Sequence, residues 1–445
     1  MSREIYEVNC PKNINREVVV EAAVPGSKSI TNRALLIAAM ANGTSILNGC
    51  LTSDDARHFL ECIKELGFPV EEASDGKLGS NIKITGFGGA IPNKKAAIYV
   101  GSAGTAARFL VAMLAFSDGE YTVNSSRQMK KRPMQPLIDT LRAAGATVTC
   151  LEEEGHFPMH IVGAGDKTKI PDVISVNIDK SSQFLSALLI SAGALGKKIE
   201  IKVTGSHGLS YVDLTVSMMK SFGVSVSKAI VNDEIKYIIS GSECYNAIEY
   251  NIEPDMSAAA YFYALAAILG AKVYVKGVSR KMLQGDVAFI DVLEKMGCDV
   301  VEAGDGLEVH GRDEGSLLGD MTVDMSAFSD QALTLAAIAP FAAGRITING
   351  IGHIRMQECD RINAIVSNLR GLGIEVEEDE DSVTIYPGQP SAGKIETYDD
   401  HRVAMSFALT GLRAEGIVIK NPDCCKKTFA EYFDILDGVM AELSF

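Results

Sequence analysis

The sequence predicts a mixed α/β chain of two similar halves, each built from three helix-and-strand modules, and three observations predict it. Glycines at Gly43, Gly119, Gly196, Gly270, Gly344 and Gly416 recur at successive spacings of 76, 77, 74, 74 and 72 residues, a period longer than that of solenoid repeats. Each follows a small-residue helix pattern and leads into a β-branched strand, a polar loop and a second helix. The second helices end in five parallel signatures: Leu66-Gly67, Ala144-Gly145, Phe222-Gly223, Met296-Gly297 and Leu372-Gly373. Each signature precedes an alternating strand pair that closes on glycine, as in Ile82-Lys83-Ile84-Thr85-Gly86 and Tyr237-Ile238-Ile239-Ser240-Gly241.

The sixth copy runs out of chain after a second helix expected from Thr428 to about Leu443, before any strand pair. Two strand patterns without a copy of their own lie at the other end, Glu4 to Val8 and Arg16 to Ala22, around Pro11-Lys12-Asn13. The expectation is an N-terminal hairpin that completes the last unit, which brings both termini into one discontinuous domain. A break near Ser242 to Asn251 then gives residues 1–24 plus 245–445 as one three-repeat domain and 25–244 as the other, each of ordinary domain size.

Composition agrees with a soluble, core-rich enzyme: 47% hydrophobic and 22% charged residues. The net charge of −15, without a basic tract, argues against a nucleic-acid partner. The most apolar stretch, Ala258 to Ala271, is too short to span a bilayer and reads as core. The N-terminus shows no apolar signal region, and nine scattered cysteines without a C-x-x-C pair suit the cytoplasm. Adjacent Cys424 and Cys425 could suggest metal or redox work, but ordinary thiols are the preferred reading. A monomer is the default expectation.

Aligning the starts of the six first helices puts unlike sequences at one structural place: Gly26-Ser27-Lys28-Ser29-Ile30-Thr31-Asn32-Arg33, Gly101-Ser102-Ala103-Gly104-Thr105-Ala106-Ala107-Arg108, Asp179-Lys180-Ser181-Ser182-Gln183, Pro254-Asp255-Met256-Ser257, Phe328-Ser329-Asp330-Gln331 and Asp399-Asp400-His401-Arg402. Taken singly, Ser27, Ser181, Asp255, Asp330 and Asp400 read as helix caps. Caps do not explain Lys28, Arg33, Arg108 and Arg402, because a cation at a helix N-terminus adds to the positive end of the dipole unless an anion offsets it. Basic loops fall at equivalent points of copies two, five and six: Arg127 to Pro133, Arg355 to Arg361, and Cys424 to Phe429. Together they predict a positively charged cleft between the halves of an acidic protein, suited to small substrates bearing phosphate and carboxylate.

Rival constellations fail. Gly26-Ser27-Lys28-Ser29 lacks the upstream glycine of a Walker loop, and Gly86-Phe87-Gly88-Gly89 matches no dinucleotide fingerprint. No two of the seven histidines have metal-ligand spacing, and no Ser or Cys has an evident triad around it. Neither metal nor cofactor is expected; electrostatic and acid/base catalysis is.

At Pro25-Gly26-Ser27-Lys28-Ser29-x-x-Asn32-Arg33 and Ala103-Gly104-Thr105-x-x-Arg108 the chain resembles the 5-enolpyruvylshikimate-3-phosphate synthase family. The likeness continues in family order through Lys131-Arg132-Pro133-Met134, Ser181-Ser182-Gln183-Phe184, Gln284-Gly285-Asp286, Asp360-Arg361, Asp400-His401-Arg402-x-Ala404-Met405 and Lys427-Thr428-Phe429. The resemblance implies two domains of three βαβαββ-type units in an inside-out α/β barrel, with helix N-termini facing an interdomain active site. It implies transfer of the enolpyruvyl group of phosphoenolpyruvate to the 5-hydroxyl of shikimate 3-phosphate, with release of phosphate.

By the same resemblance Ser29 and Arg33 would hold the shikimate carboxylate, and Ser181 and Ser182 its phosphate, with Lys28 touching both substrates. Gly104, Arg132 and Gln183 would cradle the phosphate of phosphoenolpyruvate; Arg361, Arg402 and Lys427 would hold its carboxylate. Asp330 would be the base, Glu358 and Lys28 candidates for moving the methylene proton, and His401 a supporting group. Of Ser206 and Ser210, Ser210 is the choice for the acceptor phosphate. The chain departs from the family at Ser102, usually Asn, and Gln357, usually a Lys that contacts the shikimate side, so weaker acceptor binding or an altered acceptor is expected. Two alternatives remain: the related UDP-N-acetylglucosamine enolpyruvyl transferases, whose usual cysteine is missing between Ser125 and Pro133, and a non-catalytic anion-binding paralogue.

Overall fold

The computed structural model describes residues 4–75, 78–205, 208–232, 234–312 and 315–444. The chain forms two compact units. One is continuous, Gly26–Ile252; the other is discontinuous, joining the N-terminal segment up to Pro25 with the chain from Glu253 onward.

Each unit places three apolar helices at its centre and three small sheets around them. In the continuous unit Gly104–Ala115 packs against Lys28–Met40 and Gln183–Gly193. In the discontinuous unit Met256–Leu269, Ala332–Ile338 and His401–Gly411 pack on one another. These segments are rich in Ala and Leu, strong helix formers that also allow close approach. Every residue of Gly104–Ala115 and of Met256–Leu269 is buried, so only the helix ends are left for polar work. Among the described residues no helix is long and apolar enough to cross a membrane.

Five of the sheets among the described residues share one plan, two parallel strands and then two antiparallel ones, and the sixth has a single antiparallel strand. In the second sheet Lys95–Tyr99 runs parallel to Glu120–Asn124, which pairs antiparallel with Met159–Val162 and through it with Thr147–Cys150. The third and fifth sheets repeat this order. The five Gly signatures that close the second helices, Gly67, Gly145, Gly223, Gly297 and Gly373, all take positive φ between 81° and 98°. That left-handed step ends a helix at little steric cost only for glycine, which is why the repeat was visible in sequence.

The N-terminal hairpin is not there. Ile5–Glu7 pairs antiparallel with Ile417–Lys420 and completes the sixth sheet, whereas Val19–Glu21 pairs in parallel with Lys272–Lys276 and completes the fourth. Reciprocally, Glu249–Asn251 pairs in parallel with Asn42–Leu51 and completes the first sheet. The first and fourth repeats have thus exchanged their opening strands, and each exchanged strand finishes the unit the chain is about to leave. This moves the second crossing to Ile252 and Glu253, eight residues beyond the expected 244/245 boundary, because the strand at 249–251 belongs to the continuous unit. The final helix also starts later than expected, at Tyr432, because residues 428–431 continue as turns after the 3-10 segment Pro422–Lys427.

Close backbone approach fixes where central helix meets sheet. A Cβ on Gly86 would lie 2.4 Å from both the Ala38 and Ala41 carbonyl oxygens and 2.7 Å from that of Ala39. Those carbonyls are the end of helix Lys28–Met40, so Gly86→Ala is expected to cost roughly 2–4 kcal/mol by forcing strand from helix. A denaturant midpoint within error of wild type would contradict this packing.

Candidate active site

In the continuous unit, three central helices begin without help from their own N-cap side chains. Ser27, Ala103 and Ser182 hold those positions and none makes a side-chain capping bond; at the third, the Ser181 hydroxyl accepts from the Gln183 amide at 3.3 Å. Helix starts left this way present backbone N–H groups. Cations gather at the same ends. A Cβ on Gly104 would meet Arg132 Nη1 at 2.6 Å and Arg108 Nη1 at 2.8 Å, so glycine lets both guanidiniums lie against the helix start where a side chain would make them shift. Arg108 Nη1 donates to Gln183 Oε1 at 2.6 Å, and its guanidinium lies 5.2 Å from the Phe184 ring centroid. Burial, and then the charge of Arg132, holds the Arg108 pKa well below that of an ordinary arginine. Gly104, Arg132 and Gln183 are thereby brought together.

Arg33 is 1% exposed. Its Nε donates to Thr215 Oγ1 at 2.7 Å, Nη1 to the Ser29 carbonyl at 2.9 Å and Nη2 to the Tyr211 carbonyl at 3.1 Å, with the guanidinium 5.3 Å from the Phe109 ring centroid. These bonds use three of its five N–H donors. Burial brings its pKa down to about 10. Ser29, Arg33 and the first turn of the helix Leu209–Ser221, which carries Ser210, therefore share one neighbourhood, and a Cβ on Gly208 would lie 2.7 Å from Ser182 Oγ, which adds Ser182 to it. Ser206 lies outside the described residues. Lys28 makes an ion pair of 2.7 Å with Asp55, a carboxylate 2% exposed at the start of the first copy's second helix. Asp55 was missed in the sequence because an acid in a first turn is an ordinary helix feature. Its signal was position: it stands where other copies carry their basic loops.

The discontinuous unit is arranged the other way. Two of its three central helices are capped by acids, Asp255 accepting from the Ala258 amide at 3.0 Å and Asp400 from Arg402 at 2.9 Å, and Asp360 caps the helix Arg361–Gly371 by accepting from Asn363 at 2.9 Å. For Asp255 and Asp400 the capping role expected of any such residue holds. Asp400 does more. It is fully buried and grips Arg361, Oδ2 to Nε at 2.8 Å and Oδ1 to Nη2 at 3.4 Å. Asp330 is no cap; it bridges Arg361 Nη1 at 3.0 Å and Arg402 Nη2 at 2.8 Å. Gln357 Oε1 also accepts from Arg361 Nη1. Burial works against the Asp330 carboxylate, but Arg402 and Arg361 outweigh it and hold its pKa at about 2. Burial likewise disfavours the Arg361 charge, yet Asp400 and Asp330 raise its pKa above the ordinary value.

Glu358 joins the last two groups. Its Oε2 lies 3.2 Å from Lys427 Nζ and 3.0 Å from His401 Nδ1. Asp330, Glu358 and Arg361 of the fifth repeat and His401, Arg402 and Lys427 of the sixth thus form connected pairs. Glu358, Asp400 and His401 offer ligand atoms within 4.8 Å of one another, but Lys427 and Arg361 already sit against the two carboxylates. That charge pattern suits an anion better than a cation. Two further groups take a part that the sequence reading did not give them. Asp286, 5% exposed, accepts from Gln331 Nε2 at 3.2 Å and has its pKa pushed up to about 7 by burial and then by Asp330. His353 Nε2 lies 2.7 Å from the Ser329 hydroxyl and ties the Asp330 turn to the Gly352–Met356 turn that leads into Glu358.

With that geometry in hand, comparison with known proteins is decisive. Residues 11–436 match the family described as EPSP synthase (3-phosphoshikimate 1-carboxyvinyltransferase). The chain belongs to the EPSP synthase family. The 3-phosphoshikimate 1-carboxyvinyltransferase of Nostoc punctiforme is 42% identical over 94% of this chain and 96% of its own. The relative named 3-phosphoshikimate 1-carboxyvinyltransferase 2 of Halalkalibacterium halodurans is 40% identical over 95% and 92%. The fold is that of the EPSP synthase of Acinetobacter baumannii, with a TM-score of 0.76 at 24% identity over 98% of each chain. The enolpyruvyl transferase NikO of Streptomyces tendae shares the fold at a TM-score of 0.72 and 14% identity, over 99% of this chain and 98% of its own.

The Asp286 carboxyl binds its proton more tightly folded, at about 7, than an unfolded aspartate does, at about 3.9. Its contribution to stability is therefore complete below about pH 4 and is lost as pH rises through about 7. Thermal melts should show wild type losing stability relative to Asp286→Asn across that window, and a constant difference from pH 4 to 8 would contradict the assignment.

Proposed function

We infer that this protein transfers the enolpyruvyl group of phosphoenolpyruvate to the 5-hydroxyl of shikimate 3-phosphate, releasing phosphate. The observation that carries the activity is identity of about 40% along nearly the whole chain with enzymes named for it. The residue roles rest on the chemistry of the two charged neighbourhoods.

In the continuous unit, Gly104, Arg132 and Gln183 gather backbone N–H groups and a guanidinium where a phosphate can be gripped, and they are proposed to hold the phosphate of phosphoenolpyruvate. Ser29 and Arg33 are assigned the acceptor carboxylate, and Ser181, Ser182 and Ser210 its phosphate. Lys28, oriented by Asp55, touches both substrates. In the discontinuous unit, Arg361, Arg402 and Lys427 are assigned the carboxylate of phosphoenolpyruvate. Both substrates and a cytoplasmic setting belong to this proposal.

The chemistry needs one base and one acid. As the 5-hydroxyl oxygen bonds to C2 of phosphoenolpyruvate, its proton passes to Asp330 and the C3 methylene takes a proton from Glu358 or Lys28. The resulting tetrahedral adduct then loses phosphate as the C3 proton leaves and the double bond re-forms. His401, against Glu358, holds that carboxylate in place. Gln357 brings no charge, and its bond to Arg361 turns it toward the phosphoenolpyruvate side of the site; weaker acceptor binding follows from the lost cation.

The test is phosphate release from phosphoenolpyruvate and shikimate 3-phosphate without added metal. Turnover seen only with a UDP-sugar acceptor would favour the other transferase class, and tight binding without turnover the anion-binding reading. Asp330→Ala should keep shikimate 3-phosphate binding and lower kcat by roughly 100-fold or more, as loss of a general base does. Undiminished kcat would remove Asp330 from that role.

A further inference from the structure

Arg361 and Arg402, the groups assigned to a substrate carboxylate, already hold a carboxylate of the chain itself. Their two acidic partners are not equivalent. Asp400 is fully buried, meets Arg361 through both oxygens and caps a central helix, so it is part of the framework. Asp330 is 20% exposed and sits in the short 3-10 turn Ser329–Gln331. It gives one oxygen to each guanidinium, Oδ1 to Arg361 at 3.0 Å and Oδ2 to Arg402 at 2.8 Å. That is the geometry a small ligand's carboxylate would adopt between the same two side chains.

We propose that Asp330 is the resident occupant of the carboxylate site, so that phosphoenolpyruvate binds by exchanging its carboxylate for that of Asp330 on Arg361 and Arg402, and this exchange frees Asp330 to act as the base. The proposal rests on the functional reading above and gives Asp330 a second, earlier role. Exchange solves a charge problem. Arg361 is 3% exposed and Arg402 14%, and a guanidinium so placed is costly to leave without an anion. A carboxylate that departs only as another arrives never exposes that cost.

Exchange also solves a base problem. Held by both arginines, the Asp330 carboxyl has a pKa of about 2 and is a poor acceptor for a hydroxyl proton. Once those cations are shared with a ligand, burial remains and pushes it upward. The base is weak while the site is empty and strengthens when substrate is in place. Arg361 Nη1 is held also by Gln357, a neutral amide that can stay as the carboxylates trade.

Calorimetric titration of phosphoenolpyruvate at pH 8 into wild type, Asp330→Asn and Asp286→Asn tests this. Asp330→Asn should bind about tenfold tighter than wild type, the factor carried by one charge-assisted hydrogen bond of ordinary strength, although it loses turnover. Asp330→Ala should move in the same direction. Asp286→Asn removes a nearby charge that does not bridge the two guanidiniums, and should stay within about twofold of wild type. Unchanged or weaker binding by both Asp330 variants overturns the exchange, as does equal tightening by Asp286→Asn, which would make the effect one of general field. Failure of the wild-type protein to release phosphate would sink the functional reading instead, and the affinity comparison would still decide whether Asp330 occupies the site.

Discussion

The site in the discontinuous unit depends on one buried interaction, the grip of Asp400 on Arg361. Breaking a buried ion pair by removing one partner costs about 3–5 kcal/mol, whereas exposed pairs such as Lys94 with Asp118 are worth about 0–1 kcal/mol. Only the buried pair can fix a charge in place. Asp400 caps the helix His401–Gly411, so the orientation of Arg361 is tied to a central helix and not to a loop. Asp330, Gln357 and Arg402 are then placed by what Arg361 leaves available, and Glu358 is set by Lys427 and His401 beside it.

The two units reach an anion-binding arrangement by opposite means. In the continuous unit the N-cap side chains of Lys28–Met40, Gly104–Ala115 and Gln183–Gly193 make no capping bond, and buried guanidiniums stand nearby without acidic partners in their described bonds. That arrangement suits a doubly charged phosphate, since backbone dipoles and side-chain cations act together. In the discontinuous unit acids cap two of the three central helices and the cations Arg361, Arg402 and Lys427 are paired, which suits exchange of one carboxylate for another. A repeated framework of buried helices makes both possible, because an Ala-rich helix buried on all sides can vary only at its ends.

Much of this was legible in the sequence, for reasons that can be named. The Gly67, Gly145, Gly223, Gly297 and Gly373 signatures announced the repeat because a left-handed step after a helix restricts the residue type. Lys28, Arg108 and Arg402 stood out because a cation at a helix start works against the dipole. Pairing partners were not legible. Val19–Glu21 and Glu249–Asn251 are three-residue strands whose partners lie some 250 and 200 residues away in sequence, and nothing local distinguishes a hairpin from an exchanged strand. Asp55 and His353 were equally silent, and Asp286 stood in a motif without a role. An acid in a first turn is commonplace, and only burial beside Lys28 or Asp330 gives Asp55 and Asp286 their meaning.

The most direct test of the central claim is kcat/KM for phosphoenolpyruvate in Arg361→Lys, with a thermal melt to confirm the fold. Lysine keeps the positive charge but cannot reproduce a planar fork that meets Asp400 with two nitrogens and Asp330 with a third. The account predicts a loss of about 100-fold, with KM for shikimate 3-phosphate within about twofold of wild type. A kcat/KM within about twofold of wild type would show that charge alone suffices and would contradict it.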